Sequence, residues 1–223
     1  MASVKVFGSP ASTEVQRVLA CLFEKDVEFQ LIKMDSFRGS IRLPECLKLQ
    51  PGGEALTYQD DTDSLVDSRA ICRHVVDKFK KQGNKELMGG GALERALIEQ
   101  WLETEAQKFD PPSSDLVFYL AIAPKLPQPE QVDPAAVAES QRKLEKVLKV
   151  YDQRLADNKF LTGAKFTLAD LSHLPNTEQL MRIDKVKSVF MAHENVARWW
   201  SDISKKESWQ SVLKIAQQPP PMA

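Results

Sequence analysis

Two short runs hold the residue types able to do chemistry. In the first, Gly8-Ser9-Pro10-Ala11-Ser12-Thr13 places three hydroxyl side chains just ahead of an apolar helix face. A hydroxyl at a helix start sits in the positive field of backbone N–H groups that lack intrahelical partners. It can cap those groups, and Thr13 with Gln16 has the spacing of a capping box. It can also donate a hydrogen bond to an anion such as a thiolate and lower that thiol's pKa. Nothing nearby supplies the histidine and acid that a nucleophilic serine requires. Spacing alone leaves both roles open, with capping the commoner. In the second run, Asp67-Ser68-Arg69-Ala70-Ile71, a strand leads into a helix whose first turn offers N–H groups and a hydroxyl. That combination suits a ligand carboxylate, and Asp67 suits a ligand ammonium; an amino acid head group carries both charges. The plainer reading makes Ser68 the helix N-cap.

Phe166-Thr-Leu-Ala-Asp-Leu171 is a folding signal. Thr167 and Asp170 have the spacing of an acidic capping box, with Phe166 and Leu171 at the hydrophobic-staple positions. His74, His173 and His193 have no metal-ligand spacing, so no metal is expected. The chain shows neither a phosphate loop nor a dinucleotide fingerprint. Trp199, Trp200 and Trp209 fall among helical residues and read as core.

The elements that must position these runs are legible from periodicity. Val4–Phe7 is a short strand, Val15, Val18, Leu19, Leu22 and Phe23 share a helix face, and Val27, Phe29 and Leu31 alternate as a half-buried strand. A β-α-β unit of this kind gives parallel strands. Residues 55–59 and 64–66 read as an antiparallel hairpin around Asp60-Asp61-Thr62-Asp63, and a helix follows from Ser68. Gln82 to Gly91 is a compositional break. The chain is therefore divided into an α/β domain over 1–82, a linker over 83–91 and an all-helical domain over 92–223. In the helical part Leu93, Leu97 and Trp101 share a face, and Asp110-Pro-Pro-Ser-Ser114 interrupts or kinks the helix. Asp133 caps a helix that opens at Pro134 and carries Val137, Leu144, Leu148, Tyr151 and Leu155 on one stripe.

Composition bounds the class. The chain has 223 residues, with 43% hydrophobic and 27% charged, close to globular averages. Its formal net charge of -1 gives no broad electrostatic hold on nucleic acid or anionic membrane. The longest apolar run, Leu116–Ala123, is far short of a membrane span. Cys21, Cys46 and Cys72 are an odd number with no C-x-x-C spacing and suit a reducing compartment. A cytoplasmic protein is expected.

The chain from Val4 to about Leu213 resembles the cytosolic glutathione transferases, most of all the plant phi class. The resemblance rests on Lys5-Val-Phe-Gly-Ser-Pro-Ala-Ser-Thr13, Arg17-Val-Leu19, Phe23-Glu-Lys25, Val27-Glu-Phe29 and Leu47-Lys-Leu-Gln-Pro51. It rests further on Asp67-Ser-Arg-Ala-Ile71, Phe160-Leu-Thr-Gly163, Phe166-Thr-Leu-Ala-Asp-Leu171 and Arg198-Trp-Trp200. It implies a thioredoxin-like N-terminal α/β domain followed by an all-α C-terminal domain, a homodimer, and glutathione as co-substrate with no bound cofactor. It also implies roles. Ser12 matches the serine that activates the glutathione thiol, and Asp67 with Ser68 matches the pair that grips the γ-glutamyl head group. Arg42 matches a basic position near the glycyl carboxylate, and Ile41 replaces a histidine common in relatives. Glu54 and Ala55 match a pair whose main chain meets the cysteinyl part. Leu116, Phe118, Tyr119 and Ile122, with Phe37, are the implied apolar wall for a hydrophobic electrophile. The implied activity is conjugation of glutathione to electrophiles in detoxification, with peroxidase activity as a second outcome of the same thiolate. Ser12 in place of a cysteine excludes disulfide-exchange chemistry there. The alternative is a non-catalytic carrier of flavonoid-like aromatic metabolites. In Pro51-Gly-Gly-Glu-Ala-Leu56, Leu56 stands where relatives carry a cis-proline and Gly52 where they carry phenylalanine. A non-proline cis bond costs roughly 3 kcal/mol, so a trans Ala55–Leu56 bond, a redirected loop and modest glutathione affinity are expected.

Overall fold

The computed structural model describes residues 4–34, 56–61, 64–126 and 132–217. The expectations for Phe37, Ile41, Arg42, Glu54, Ala55 and the bond preceding Leu56 lie outside these residues.

Strand β1 (Val4–Gly8) buries Val4 and Val6 while Lys5 is exposed, the period-2 pattern of a strand with one covered face. Helix α1 (Thr13–Glu24) follows and is buried from Val15 through Leu22. It ends at Lys25 and Asp26; Asp26 takes a φ of 50°, a left-handed conformation that aspartate tolerates better than most residues. Val27 then donates from its N–H to the Leu22 carbonyl at 3.0 Å. Val27 thus belongs to the helix-ending turn rather than to the strand, and β2 runs from Phe29 to Lys33. Strands β1 and β2 are parallel, with Val6 opposite Leu31. Strand β3 (Leu56–Gln59) runs antiparallel to β1, with Leu56 opposite Gly8, and β4 (Ser64–Leu65) pairs antiparallel with β3. The result is a mixed four-stranded sheet in the order β2-β1-β3-β4. Helix α2 (Ser68–Lys78) packs on α1, burying Ile71, Cys72, Val75 and Val76.

Contacts divide the chain into two compact units: Met1–Leu87 with Lys206–Ala223, and Met88–Lys205. The last helix therefore departs from the 92–223 expectation. It buries Trp209 and Val212, and it packs on α1 of the first unit. Its anchor is Glu24: Oε1 accepts from Ser208 Oγ at 2.6 Å and lies 3.4 Å from Lys206 Nζ, while Oε2 accepts from Asn84 Nδ2 at 2.8 Å. Gly83 lies against the same spot with a φ of +47°, where an added Cβ would come within 2.4 Å of the Glu24 carbonyl oxygen.

The second unit opens with α3 (Ala92–Thr104), which buries Ile98, Trp101 and Leu102. Of the face shared by Leu93, Leu97 and Trp101, Trp101 is buried while Leu93, in the first turn, is 84% exposed. The helix does not break at the prolines. It widens to a π turn over Glu105–Phe109 and continues as α4 (Asp110–Val117), with Pro111 and Pro112 in the first turn. Prolines lack the N–H that the carbonyls four residues back require, so the ladder widens there. A second π turn (Phe118–Ile122) and a short 3-10 turn (Ala123–Lys125) follow. Helix α5 (Pro134–Ala156) starts as expected, with Asp133 accepting from the Ala135 N–H at 2.8 Å, and buries Leu144, Leu148, Tyr151 and Leu155. Helices α6 (Leu168–Leu171), α7 (Leu174–Leu180), α8 (Asp184–Met191) and α9 (Glu194–Ser204) complete the unit.

The Thr167–Asp170 capping box forms in full. Asp170 is also a hub: its fully buried carboxylate accepts from Leu161 N–H at 3.0 Å, Thr167 N–H at 3.1 Å and Trp199 Nε1 at 2.9 Å. Burial pushes its pKa up, and these donors oppose the shift.

Candidate active site

The first run forms a latched turn. Ser12 N–H donates to the Ser9 carbonyl at 3.0 Å, Ala11 N–H reaches Ser9 Oγ at 3.3 Å, and Gln16 N–H closes the first helical bond onto the Ser12 carbonyl at 3.0 Å. Ser12 is the N-cap of α1, with extended backbone (φ -70°, ψ 132°). The Thr13–Gln16 capping box does not form. Thr13 is already inside the helix, and the Gln16 side chain passes over it to donate to the Pro10 carbonyl at 2.9 Å. Among the described residues, the Ser12 hydroxyl makes no capping bond to α1. Asp67 and Asp133, by contrast, each commit a side-chain oxygen to the helix they start. Ser12 is half-buried, and its hydroxyl sits at the positive end of α1 with its hydrogen uncommitted among the described residues.

The second run is set differently from the plainer sequence reading. Asp67, not Ser68, is the N-cap of α2, and its Oδ1 accepts from the Ala70 N–H at 2.6 Å. Asp67 is exposed. Ser68 is the first helical residue and is fully buried; its Oγ accepts from Arg17 Nη1 at 2.8 Å. Arg17 is itself only 1% exposed. The structure therefore brings the two runs together through α1 against α2. Sequence spacing held no signal for this bond, because its partners lie 51 positions apart. The register of β3 adds a third part: Leu56 faces Gly8, the last β1 residue before the Ser12 turn.

Beside this seam lie two thiols. Cys21 Sγ donates to the Cys72 carbonyl and Cys72 Sγ to the Arg17 carbonyl, each at 3.7 Å. The hydrogen bond with Cys72 and burial push the Cys21 pKa well above its ordinary value. These are structural thiols, not nucleophiles.

In the second unit the expected apolar wall divides. Phe118 and Ile122 are 37% and 45% exposed, and Tyr119 is half-buried with its ring edge-on to Phe118 at 5.9 Å. Leu116 is fully buried on α4. A separate cleft of about 550 Å³ is lined by Thr104, Lys108, Pro111, Val147, Val150 and Tyr151 among others, and by none of the expected wall residues. Among the described residues no group of three or more His, Cys, Asp and Glu side chains is placed to hold a metal ion. None of the described helices is long and apolar enough to cross a membrane.

Two family models match the chain: glutathione S-transferase, N-terminal domain, over residues 6–83, and glutathione S-transferase, C-terminal domain, over residues 109–207. Glutathione S-transferase F11 of Arabidopsis thaliana is 38% identical over 213 residues, covering 96% of this chain and 98% of that protein. The crystal structure of glutathione transferase F2 from Populus trichocarpa superposes with a TM-score of 0.91 at 46% identity, covering 96% of this chain and 99% of that one. Glutathione S-transferase I from maize, in complex with an atrazine glutathione conjugate, gives a TM-score of 0.86 at 30% identity, covering 98% of this chain and 100% of that one. With both domain models matched, a mixed sheet followed by helices, and relatives of this similarity along nearly the whole length, the chain belongs to the glutathione S-transferase family, in its plant phi class.

Proposed function

We propose that this glutathione S-transferase activates its co-substrate at Ser12 and transfers the sulfur to hydrophobic electrophiles. The observation that carries this reading is the Ser12 hydroxyl: an N-cap side chain, half-buried, that does not cap its own helix. It donates its hydrogen to the glutathione sulfur. The α1 N-terminus adds a favourable field, so the thiol releases its proton to water near neutral pH. The thiolate lone pair then forms a C–S bond with the electrophilic carbon as a leaving group departs with its bonding electrons.

The exposed Asp67 carboxylate pairs with the γ-glutamyl ammonium. Ser68 offers its hydroxyl hydrogen to the neighbouring carboxylate, since its lone pair toward Arg17 is occupied. That hydrogen becomes reachable only when the groups covering Ser68 move aside, so Asp67 makes the first contact. Arg42 meets the glycyl carboxylate, and the Glu54–Ala55 main chain meets the cysteinyl part. The electrophile rests on Phe118, Tyr119 and Ile122, with Phe37. The maize relative in complex with an atrazine glutathione conjugate supports an apolar electrophile of this kind. The same thiolate attacks organic hydroperoxides: the O–O bond breaks, an alcohol leaves, and a second glutathione converts the sulfenic acid to disulfide and water. The enzyme acts as a cytoplasmic homodimer, as the family resemblance implies.

The test is Ser12→Ala assayed with glutathione and an aryl halide. Loss of one positioned hydrogen bond to a thiolate, about 1.5–3 kcal/mol, lowers the rate roughly ten- to a hundredfold while the protein stays folded. An unchanged rate assigns Ser12 no part in activation. Glutathione titration at equilibrium separates an enzyme from a carrier, which binds aromatic ligands without binding glutathione.

A further inference from the structure

We propose that Gln16 is a positioning residue for the thiol-activating hydroxyl: it fixes the turn from Pro10 to Ser12 and so sets where the Ser12 hydroxyl meets the sulfur. This rests on the reading of Ser12 given above.

The geometry is a two-sided hold. From its backbone, Gln16 donates to the Ser12 carbonyl at 3.0 Å; from its side chain, Nε2 donates to the Pro10 carbonyl at 2.9 Å. Pro10 has no N–H of its own, so the turn has one fewer backbone donor with which to hold itself. The Gln16 amide bond supplies a replacement from the helix side.

Packing alone does not account for an amide at position 16. Gln16 is 3% exposed, and its amide oxygen is buried with no hydrogen-bond partner among the described residues. An orphaned buried acceptor disfavours folding, and an apolar side chain of the same length would avoid it. What the amide contributes that a methionine would not is the bond to Pro10. The capping-box role is also excluded, because the side chain reaches Pro10 and not the Thr13 N–H. Hydrogen bonds weaken steeply with angle and distance, and small displacements of a catalytic group carry large rate penalties. A loosened turn therefore reads out as a less acidic bound thiol.

The experiment compares Gln16→Met, Ser12→Ala and the double variant by the pH dependence of kcat/KM with an aryl halide, alongside thermal unfolding. Gln16→Met removes the donor and the orphaned oxygen together, so its unfolding temperature stays level or rises. The apparent pKa of the bound thiol moves up by about one unit, a tenfold loss of rate on the acidic side. The loss disappears at pH values above the thiol's solution range. In the Ser12→Ala background Gln16→Met adds no further shift. Gln16→Leu serves if the methionine variant fails to fold. A shift in Ser12→Ala with none in Gln16→Met overturns the proposal, as does a Gln16 shift that persists without Ser12. No shift in Ser12→Ala overturns the reading of Ser12 itself.

Discussion

Arg17 and Ser68 form a buried, charge-assisted hydrogen bond of 2.8 Å that joins α1 to α2. Both residues have almost no exposed surface. The bond ties the helix that starts at Ser12 to the helix that starts beside Asp67, so the two halves of the proposed glutathione site share one mechanical link. Arg17→Met and Ser68→Ala each destabilise the protein, by about 1.5–3 kcal/mol for a bond to a charged group. Ser68→Ala has the added burden of a buried guanidinium N–H with one acceptor fewer. The double variant costs less than the sum of the two, as a cycle of urea unfolding curves will show. Strict additivity would mean that the two residues act independently.

Asp170 anchors the second unit. Asp170→Ala leaves Leu161 N–H and Trp199 Nε1 buried without their acceptor and removes the capping box. Two orphaned donors at about 1–3 kcal/mol each, with a lost cap at about 1 kcal/mol, give a loss of several kcal/mol. Denaturant unfolding followed by tryptophan fluorescence measures it. Asp170→Asn keeps an acceptor and loses less.

Cys21 makes stability fall in alkali. Its folded-state pKa lies above the ordinary value of 9.0, so above pH 9 the unfolded chain releases this proton while the folded chain retains it. The folded state then binds more protons, and stability declines with rising pH by about 1.4 kcal/mol per unit for one such group. The difference in unfolding free energy between wild type and Cys21→Ala, followed from pH 8 to 10, narrows as the pH rises. A constant difference would show that the thiol ionises equally in both states.

Gly83 admits no side chain. With a φ of +47° and the Glu24 carbonyl 2.4 Å from where a Cβ would stand, Gly83→Ala strains the backbone and meets an atom that cannot rotate away. The expected loss is about 3 kcal/mol or more, read as a lowered unfolding temperature. Gly91→Ala meets open space and serves as the control.

What could be read from the sequence follows from the range of the interactions involved. The β-α-β opening, the hairpin and the Thr167–Asp170 box depend on residues a few positions apart, and periodicity or spacing exposes them. The Ser12 turn was only half legible. The hydroxyls were visible, but the competition for Gln16 between Thr13 and Pro10 is decided by backbone geometry that spacing does not encode. Arg17 shows nothing in sequence of its partner on α2. The stripe through Leu93, Leu97 and Trp101 says which residues align, and only tertiary packing says how far along the helix it is covered. The same gap hides the place of the last helix: Trp209 reads as core, but nothing local says whether a sheet-bearing unit or a helical one receives it.

That last helix, α10 (Glu207–Gln217), makes the first unit discontinuous, which orders the steps by which the chain is completed. A ribosome releases β1, α1, β2, β3, β4 and α2 well before α10, and the Glu24 carboxylate gains Ser208 only after synthesis has passed 184 further positions. The helical unit, continuous from Met88 to Lys205, can close while α1 still shows a bare flank. The sheet-bearing unit is therefore finished after the helical unit that interrupts it, and a stop codon a few residues after Lys205 removes the piece that seals the flank of α1.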